Sequence, residues 1–228
     1  MKTNRLIMFD IDGTLLKTES EDSLYSESMK EWLSINSIDT DWTSYKHVTD
    51  SGIAAELFLR VKGYWPTEED INHAANIFFK KWKQKLIDDP LACVPTEGIN
   101  IFLSGLQSIS DITIAVATGG WEKTAKLKLN HSGISFSKAA ISTSNDSFSR
   151  EQIMQIAYER ASKIAKISNF QNVVYFGDSE WDVIASLKLG FNFIGIDSSN
   201  RKNSLLRKGA RYIFKDFGDY EQIIDLVL

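Results

Sequence analysis

Several residue types are scarce in this chain. Its 228 residues include one cysteine, three prolines and three histidines. Cys93 alone cannot close an internal disulfide or build a thiolate cage around a metal, which points to a reducing compartment. His47, His73 and His131 show no metal-ligand spacing, so a zinc site is not expected. Thirteen Gly and three Pro exclude collagen-like and low-complexity chains. Long hydrophobic runs are missing as well. The first apolar stretch, Leu6 to Phe9, is broken by Asp10 and Asp12, which is too short for a signal peptide or a membrane helix. A cytoplasmic protein with no membrane partner is the expectation. Basic residues are not in excess, since the formal net charge is −4. Nucleic-acid binding draws on Lys and Arg against phosphates, so nucleic acid is not an expected partner.

What is present is globular in character. Hydrophobic residues make up 43% and charged residues 25%, so a packed core rather than disorder is expected. The length suits one large domain or two small ones. Charge is unevenly spread. Residues 15–94 hold 9 Lys/Arg and 14 Asp/Glu, a net of −5, whereas the remainder holds 17 and 16, a net of +1. Pro66, Pro90 and Pro95 and four of the six Trp lie in or beside that acidic stretch. The shift suggests an inserted module.

Pattern separates the two parts further. Residues 15–94 read as helices with no convincing strand. Thr18 to Glu21 matches a capping box that would open a helix to about Asn36. A second helix is expected over 53–62, stopped by Gly63. Thr67 to Asp70 is another box, opening a helix to about Leu86, and Pro90 and Pro95 mark the exit. Elsewhere short apolar runs alternate with helical segments. The runs are 6–9, 112–117, 139–142, 173–176, 193–196 and 212–214. Helices are expected at 98–108, 121–131, 150–167, 180–189, 202–208 and 219–227. Strands alternating with helices build a parallel sheet covered on both faces. The expected fold is therefore an α/β, Rossmann-like core formed by 1–14 and 95–228, with a helical insert at 15–94.

In such a sheet, ligands bind beyond the carboxyl ends of the strands. The first strand runs into Asp10-Ile11-Asp12-Gly13-Thr14. The second ends in Thr118-Gly119-Gly120. The fourth ends in Gly177-Asp178-Ser179-Glu180-Trp181-Asp182. Four carboxylates and a Thr-Gly-Gly turn should meet at one rim. Asp-Gly alone usually marks a turn. Here it follows an apolar strand directly, and a second acidic strand end accompanies it. Crowded carboxylates raise each other's pKa unless a cation sits among them, and hard oxygen ligands suit Mg²⁺.

These motifs, in this order, resemble those of the haloacid dehalogenase superfamily. Asp10-Ile11-Asp12-Gly13-Thr14, Thr118, and Gly177-Asp178 with Asp182 match its first, second and fourth motifs. The resemblance covers the whole core, and the insert is placed like the family's helical cap. It implies that Asp10 is a nucleophile forming an aspartyl-phosphate and that Asp12 is the general acid and base. It implies Mg²⁺ held by the Asp10 carboxylate, the Asp12 carbonyl and the Asp178 carboxylate, with Asp182 acting directly or through water. Thr118 and the Gly119 amide would grip phosphoryl oxygens. An Asp at position 12 resembles the phosphatases and phosphomutases of the superfamily, which points to a phosphoric monoester hydrolase.

The third motif departs from the family pattern, which supplies a lysine. Arg150 is the best match, in the first turn of a helix that Ser149 and Gln152 would cap. Lys163 is the other candidate, but about 1.5 Å per helical residue places it roughly 20 Å farther along. The insert should select the substrate. Its candidate specificity loop is His47-Val48-Thr49-Asp50-Ser51-Gly52, with His47, Thr49 and Asp50 as the residues of interest. The same residues also make a good helix-capping turn. Trp residues of the insert are expected in its core. The overall reading is an Mg²⁺-dependent phosphatase of a small phosphorylated metabolite, of the phosphoglycolate phosphatase and β-phosphoglucomutase branch. A sugar-phosphate mutase and a non-catalytic module on the same fold remain the alternatives.

Overall fold

The computed structural model describes residues 4–136, 139–197 and 201–228. Strand β1 (Arg5–Phe9) lies between β4 (Ile112–Ala117) and β6 (Asn172–Gly177), parallel to both. The six-stranded sheet has the order β5-β4-β1-β6-β7-β8, completed by β5 (Ala140–Ser142), β7 (Asn192–Ile196) and β8 (Tyr212–Phe214). Every pairing within it is parallel. Both faces are covered, as apolar strands of this kind require. Ile7 and Phe9 point to one face and Leu6 and Met8 to the other. On the first face Phe9 stacks on Phe176 at 5.0 Å, and Phe102 and Phe217 close the cluster. That face is covered by α4 (Ile99–Gln107), α5 (Glu122–His131) and α9 (Tyr220–Val227). The opposite face is covered by α6 (Arg150–Ala165), α7 (Glu180–Lys188) and α8 (Lys202–Arg207). Each fully buried aromatic or aliphatic side chain here contributes about 1.5–3 kcal/mol of burial free energy.

Between β1 and α4 run α1 (Glu21–Leu33), a short 3-10 helix (Trp42–Ser44), α2 (Asp50–Lys62) and α3 (Glu68–Asp88). The third begins on the expected capping box. Thr67 Oγ1 accepts from the Asp70 amide at 3.2 Å, and Asp70 returns the bond by accepting from the Thr67 amide at 2.9 Å. The first helix starts differently from expectation. Thr18 is taken up in strand β2 (Leu16–Thr18), and Ser20 occupies the cap position without a side-chain bond. The stretch also contains strands, contrary to the sequence reading. Strand β2 pairs antiparallel with β3 (Cys93–Pro95), joining Leu16 to Pro95 and Thr18 to Cys93. Three-residue strands are too short to show a period of two, and their partner lies nearly 80 residues away in sequence, so local pattern could not reveal them. The chain thus enters and leaves the helical segment through one ribbon. One apolar cluster runs from the sheet into these helices: Tyr25 stacks on Trp121 at 5.7 Å, and Phe78 meets Trp121 edge-on at 5.8 Å.

Candidate active site

The strand order reverses at β1, and the carboxyl end of that strand opens on a cavity of about 470 Å³. Such a crevice is the expected ligand site of an open parallel sheet. Asp10, immediately after β1, is anchored by its amide, which donates to the Phe176 carbonyl at 2.9 Å. Asp178 follows β6 and Thr118 follows β4, so the three residues share one rim. Gly13 lets the chain turn away, with φ of 77°, and a Cβ there would come within 2.2 Å of Asp178 Oδ2. Only glycine fits that close approach.

Asp10, Asp178 and Asp182 form a buried cluster whose oxygens lie within 4.8 Å of one another. Burial pushes each carboxyl upward, and the neighbouring carboxylates add to it. Asp10 rises to about 7, with Asp182 as the next cause. Asp178 rises to about 7 and Asp182 to about 6. Asp182, on the first turn of α7, is fully buried and closes a capping box with Ser179, whose amide donates to Asp182 Oδ2 at 3.2 Å. Asp12 stands apart from the three. Its Oδ1 accepts from Lys128 of α5 rather than joining the three, though its charge still acts on Asp10 and it lines the same cavity.

Arg150 occupies the first helical position of α6, behind the cap Ser149. Its Nη1 lies 3.2 Å from Asp10 Oδ1 and 3.1 Å from Asp182 Oδ1. Its Nη2 donates to the Val48 carbonyl at 3.3 Å. Burial disfavours the charge, but Asp182 and Asp10 outweigh it and hold the guanidinium firmly cationic. Lys163 lies exposed in the last turn of the same helix, far from this contact. A Cβ on Gly119 would meet Arg150 Nη2 at 2.4 Å, so a larger residue there would push the guanidinium aside.

Thr118 is buried, and its amide donates to the Ser142 carbonyl at 3.0 Å. Two later amides of the turn are already engaged. Gly120 donates to Thr118 Oγ1 at 3.1 Å, and Trp121 donates to Asp50 Oδ2 at 2.9 Å. The 47–52 loop is both a cap and a cavity wall. Thr49 Oγ1 accepts from the Gly52 amide at 3.1 Å and donates to the Phe148 carbonyl at 2.8 Å. The Asp50 amide donates to the Gly119 carbonyl at 2.8 Å. Burial pushes the Asp50 carboxyl up to about 7, against the pull of Lys128. Thr49 and Asp50 line the cavity, and His47 does not. The insert's tryptophans divide: Trp82 is wholly buried as expected, but Trp42 lines the cavity and Trp65 is exposed.

Three charged residues at the site escaped the sequence reading. Lys128 of α5 is 1% exposed, and its Nζ donates to Asp12 Oδ1 at 2.6 Å and to Glu21 Oε2 at 2.9 Å. Burial, then the Asp12 charge, push Glu21 up to about 8, against the pull of Lys128. Burial works against the Lys128 charge, yet Asp12 and Glu21 raise its pKa above the ordinary lysine range. Arg201 donates to Asp178 Oδ2 at 3.1 Å and to Ser179 Oγ at 2.8 Å. Signals existed for two of them. Lys128 falls on the stripe Thr124, Ala125, Lys128, Leu129, a helical spacing that marks a buried face. Arg201 follows the carboxyl end of β7, a rim position like those of Asp10 and Asp178.

The model of the haloacid dehalogenase-like hydrolase family matches residues 7–196. The chain belongs to that family. Solved structures with this haloacid dehalogenase-like fold align over nearly its full length. A hydrolase from Pseudomonas syringae has a TM-score of 0.74 at 18% identity, covering 99% of each chain. A predicted phosphoglycolate phosphatase from Haemophilus somnus scores 0.65 at 18% identity, covering 98% of this chain and 99% of that one. A β-phosphoglucomutase from Clostridium difficile scores 0.66 at 18% identity, with coverages of 97% and 96%. No curated protein matches the sequence.

Proposed function

We propose that the protein is a Mg²⁺-dependent phosphoric monoester hydrolase acting on a small phosphorylated metabolite. The observation that carries this reading is the placement of Asp10. Its carboxylate is fixed by Arg150 and set beside Asp178 and Asp182 at the cavity, with Asp12 and Thr118 on the same wall. A cavity of about 470 Å³ suits a small ester rather than a phosphoprotein. The 15–94 segment would act as the cap, since Thr49, Asp50 and Trp42 reach the cavity from it.

The chemistry follows from the side chains. Arg150 takes one oxygen of Asp10 and orients the carboxylate for in-line attack on phosphorus. As the bond from Asp10 to phosphorus forms, the bond to the leaving oxygen breaks, and that oxygen takes a proton from Asp12. Water then attacks the aspartyl-phosphate and gives a proton to Asp12. The Asp10–phosphorus bond breaks and inorganic phosphate leaves. Thr118 and Arg150 bind phosphoryl oxygens as charge shifts among them.

The residues present fit a magnesium ion. Hard carboxylate oxygens crowd together in a buried place that disfavours their joint ionisation, and a divalent cation relieves that conflict. Asp10, the Asp12 carbonyl and Asp178 would hold it, with Asp182 behind them. When bound it shields Asp10 from the anionic ester.

The test uses para-nitrophenyl phosphate and the purified protein. Asp10→Asn is expected to abolish turnover, chelation of divalent metal to silence it, and added Mg²⁺ to restore it. Full activity in Asp10→Asn overturns the nucleophile. The likeness to a β-phosphoglucomutase gives product analysis its purpose: net release of inorganic phosphate supports hydrolysis, and isomer interchange supports a mutase.

A further inference from the structure

The Lys128 contacts have a consequence for Asp12 that rests on the phosphatase reading above. An ammonium has three N–H donors. Lys128 uses one on Asp12 Oδ1 at 2.6 Å and one on Glu21 Oε2 at 2.9 Å, and its Nζ lies 5.1 Å from the centre of the Trp82 ring. At 1% exposure it is almost entirely out of solvent. The three partners come from three places: the turn after β1, the first turn of α1, and the middle of α3. These partners surround the ammonium, and its contact with Asp12 is through one oxygen, Oδ1.

The other oxygen lies toward the Thr118-Gly119-Gly120 turn, as Asp50 Oδ2 also does. A Cβ placed on Gly120 would lie 3.8 Å from Asp12 Oδ2 and 3.5 Å from Thr118 Oγ1. Oδ2 therefore shares its surroundings with the residue that would bind phosphoryl oxygens. We propose that Lys128 is the positioning residue for proton transfer by Asp12, pinning Oδ1 so that Oδ2 alone meets the leaving oxygen. Glu21 completes the device by holding Lys128 from the far side. Without it the ammonium would be free to straddle both oxygens of Asp12. Because Glu21 and Trp82 belong to the helical segment and Lys128 to α5, the pinned geometry exists only when that segment is seated.

Leaving-group dependence tests this. A proton donor matters most when the departing oxygen is a poor leaving group. Phenyl phosphate releases a basic phenolate, and para-nitrophenyl phosphate a weakly basic one. For Lys128→Met, kcat/KM for phenyl phosphate should fall about tenfold further than for para-nitrophenyl phosphate. The ratio of the two losses does not depend on how much protein is folded. In an Asp12→Asn background, adding Lys128→Met should change that ratio by less than about threefold, because the group it positions is gone. Should Lys128→Met fail to fold, Glu21→Ala, which removes the far-side partner of the ammonium, is read the same way, with the shift expected in the same direction. Equal losses on both substrates, or effects that simply add in the double variant, overturn the positioning role. If the unsubstituted protein turns over neither ester, the phosphatase reading itself falls and takes this inference with it.

Discussion

At Arg150 one residue carries two duties. It neutralises Asp10 and Asp182 in a buried place, and in the proposed function it would also bind a phosphoryl oxygen. Arg150→Ala should therefore raise the KM for para-nitrophenyl phosphate and the inhibition constant of inorganic phosphate by about tenfold or more, whereas Lys163→Ala should leave both near their original values. Steady-state kinetics on the two variants decides it, and the reverse order would hand the third-motif role to Lys163. Removing Arg150 also strands two buried carboxylates, so Arg150→Lys is the companion that keeps a charge while losing the fork. The position of Arg150 was legible because it lies next to a good cap residue, and the helix start set its location. Lys128 was not legible in the same way. A lysine among Lys123, Lys126 and Lys128 looks like part of a solvated face; the helical stripe with Thr124, Ala125 and Leu129 sets Lys128 apart, but its partners come only from packing against α1 and α3.

Helix starts show how local chemistry behaves at the scale of elements. The reciprocal bonds of Thr67 and Asp70 sit at the head of α3, whose Trp82 lies beneath Lys128. Thr67→Ala should cost about 1 kcal/mol in urea unfolding, while Ser20→Ala, whose side chain makes no capping bond, should cost a few tenths at most. A similar loss in both variants would show that Ser20 caps α1 in solution. Boundaries of the long helices and of the six sheet strands could be read to within a few residues, because apolar runs, caps and glycine stops act over one or two turns. The ribbon of β2 and β3 could not, since three residues carry no period and the pairing partner is remote. Its consequence is concrete: Thr18 cannot cap α1 because it is a strand residue.

For the whole molecule, the acidic character of 15–94 meets the core at a small number of charged contacts. Glu21 and Asp50 keep their protons in the folded chain up to about 8 and about 7, with burial as the main cause, against ordinary values of 4.5 and 3.8. Between those limits the folded state binds more protons than the unfolded state, so stability is greatest at the acid end and falls as pH rises. The metal-free protein should therefore melt at a lower temperature near pH 8.5 than near pH 5.5, and Glu21→Gln should make that decline shallower. Thermal unfolding followed by circular dichroism at the two pH values measures it. An unchanged slope would mean that Glu21 is ionised beside Lys128 throughout. Among the described residues no helix is long and apolar enough to cross a membrane.

The linear order of residues was enough to place Asp10, Thr118, Arg150 and Asp178 at one rim. A parallel sheet brings the carboxyl ends of its strands together whatever the details of packing, and each of these residues directly follows a strand or opens the helix beyond one. Which charges touch was decided in three dimensions. Lys128 against Asp12 spans 116 positions, and Arg201 against Asp178 spans 23. Contacts of that kind depend on how helices seat on the sheet and on each other. Burial then selects among many surface-like charges the few that must find a partner, because an unpaired charge out of water is too costly to keep.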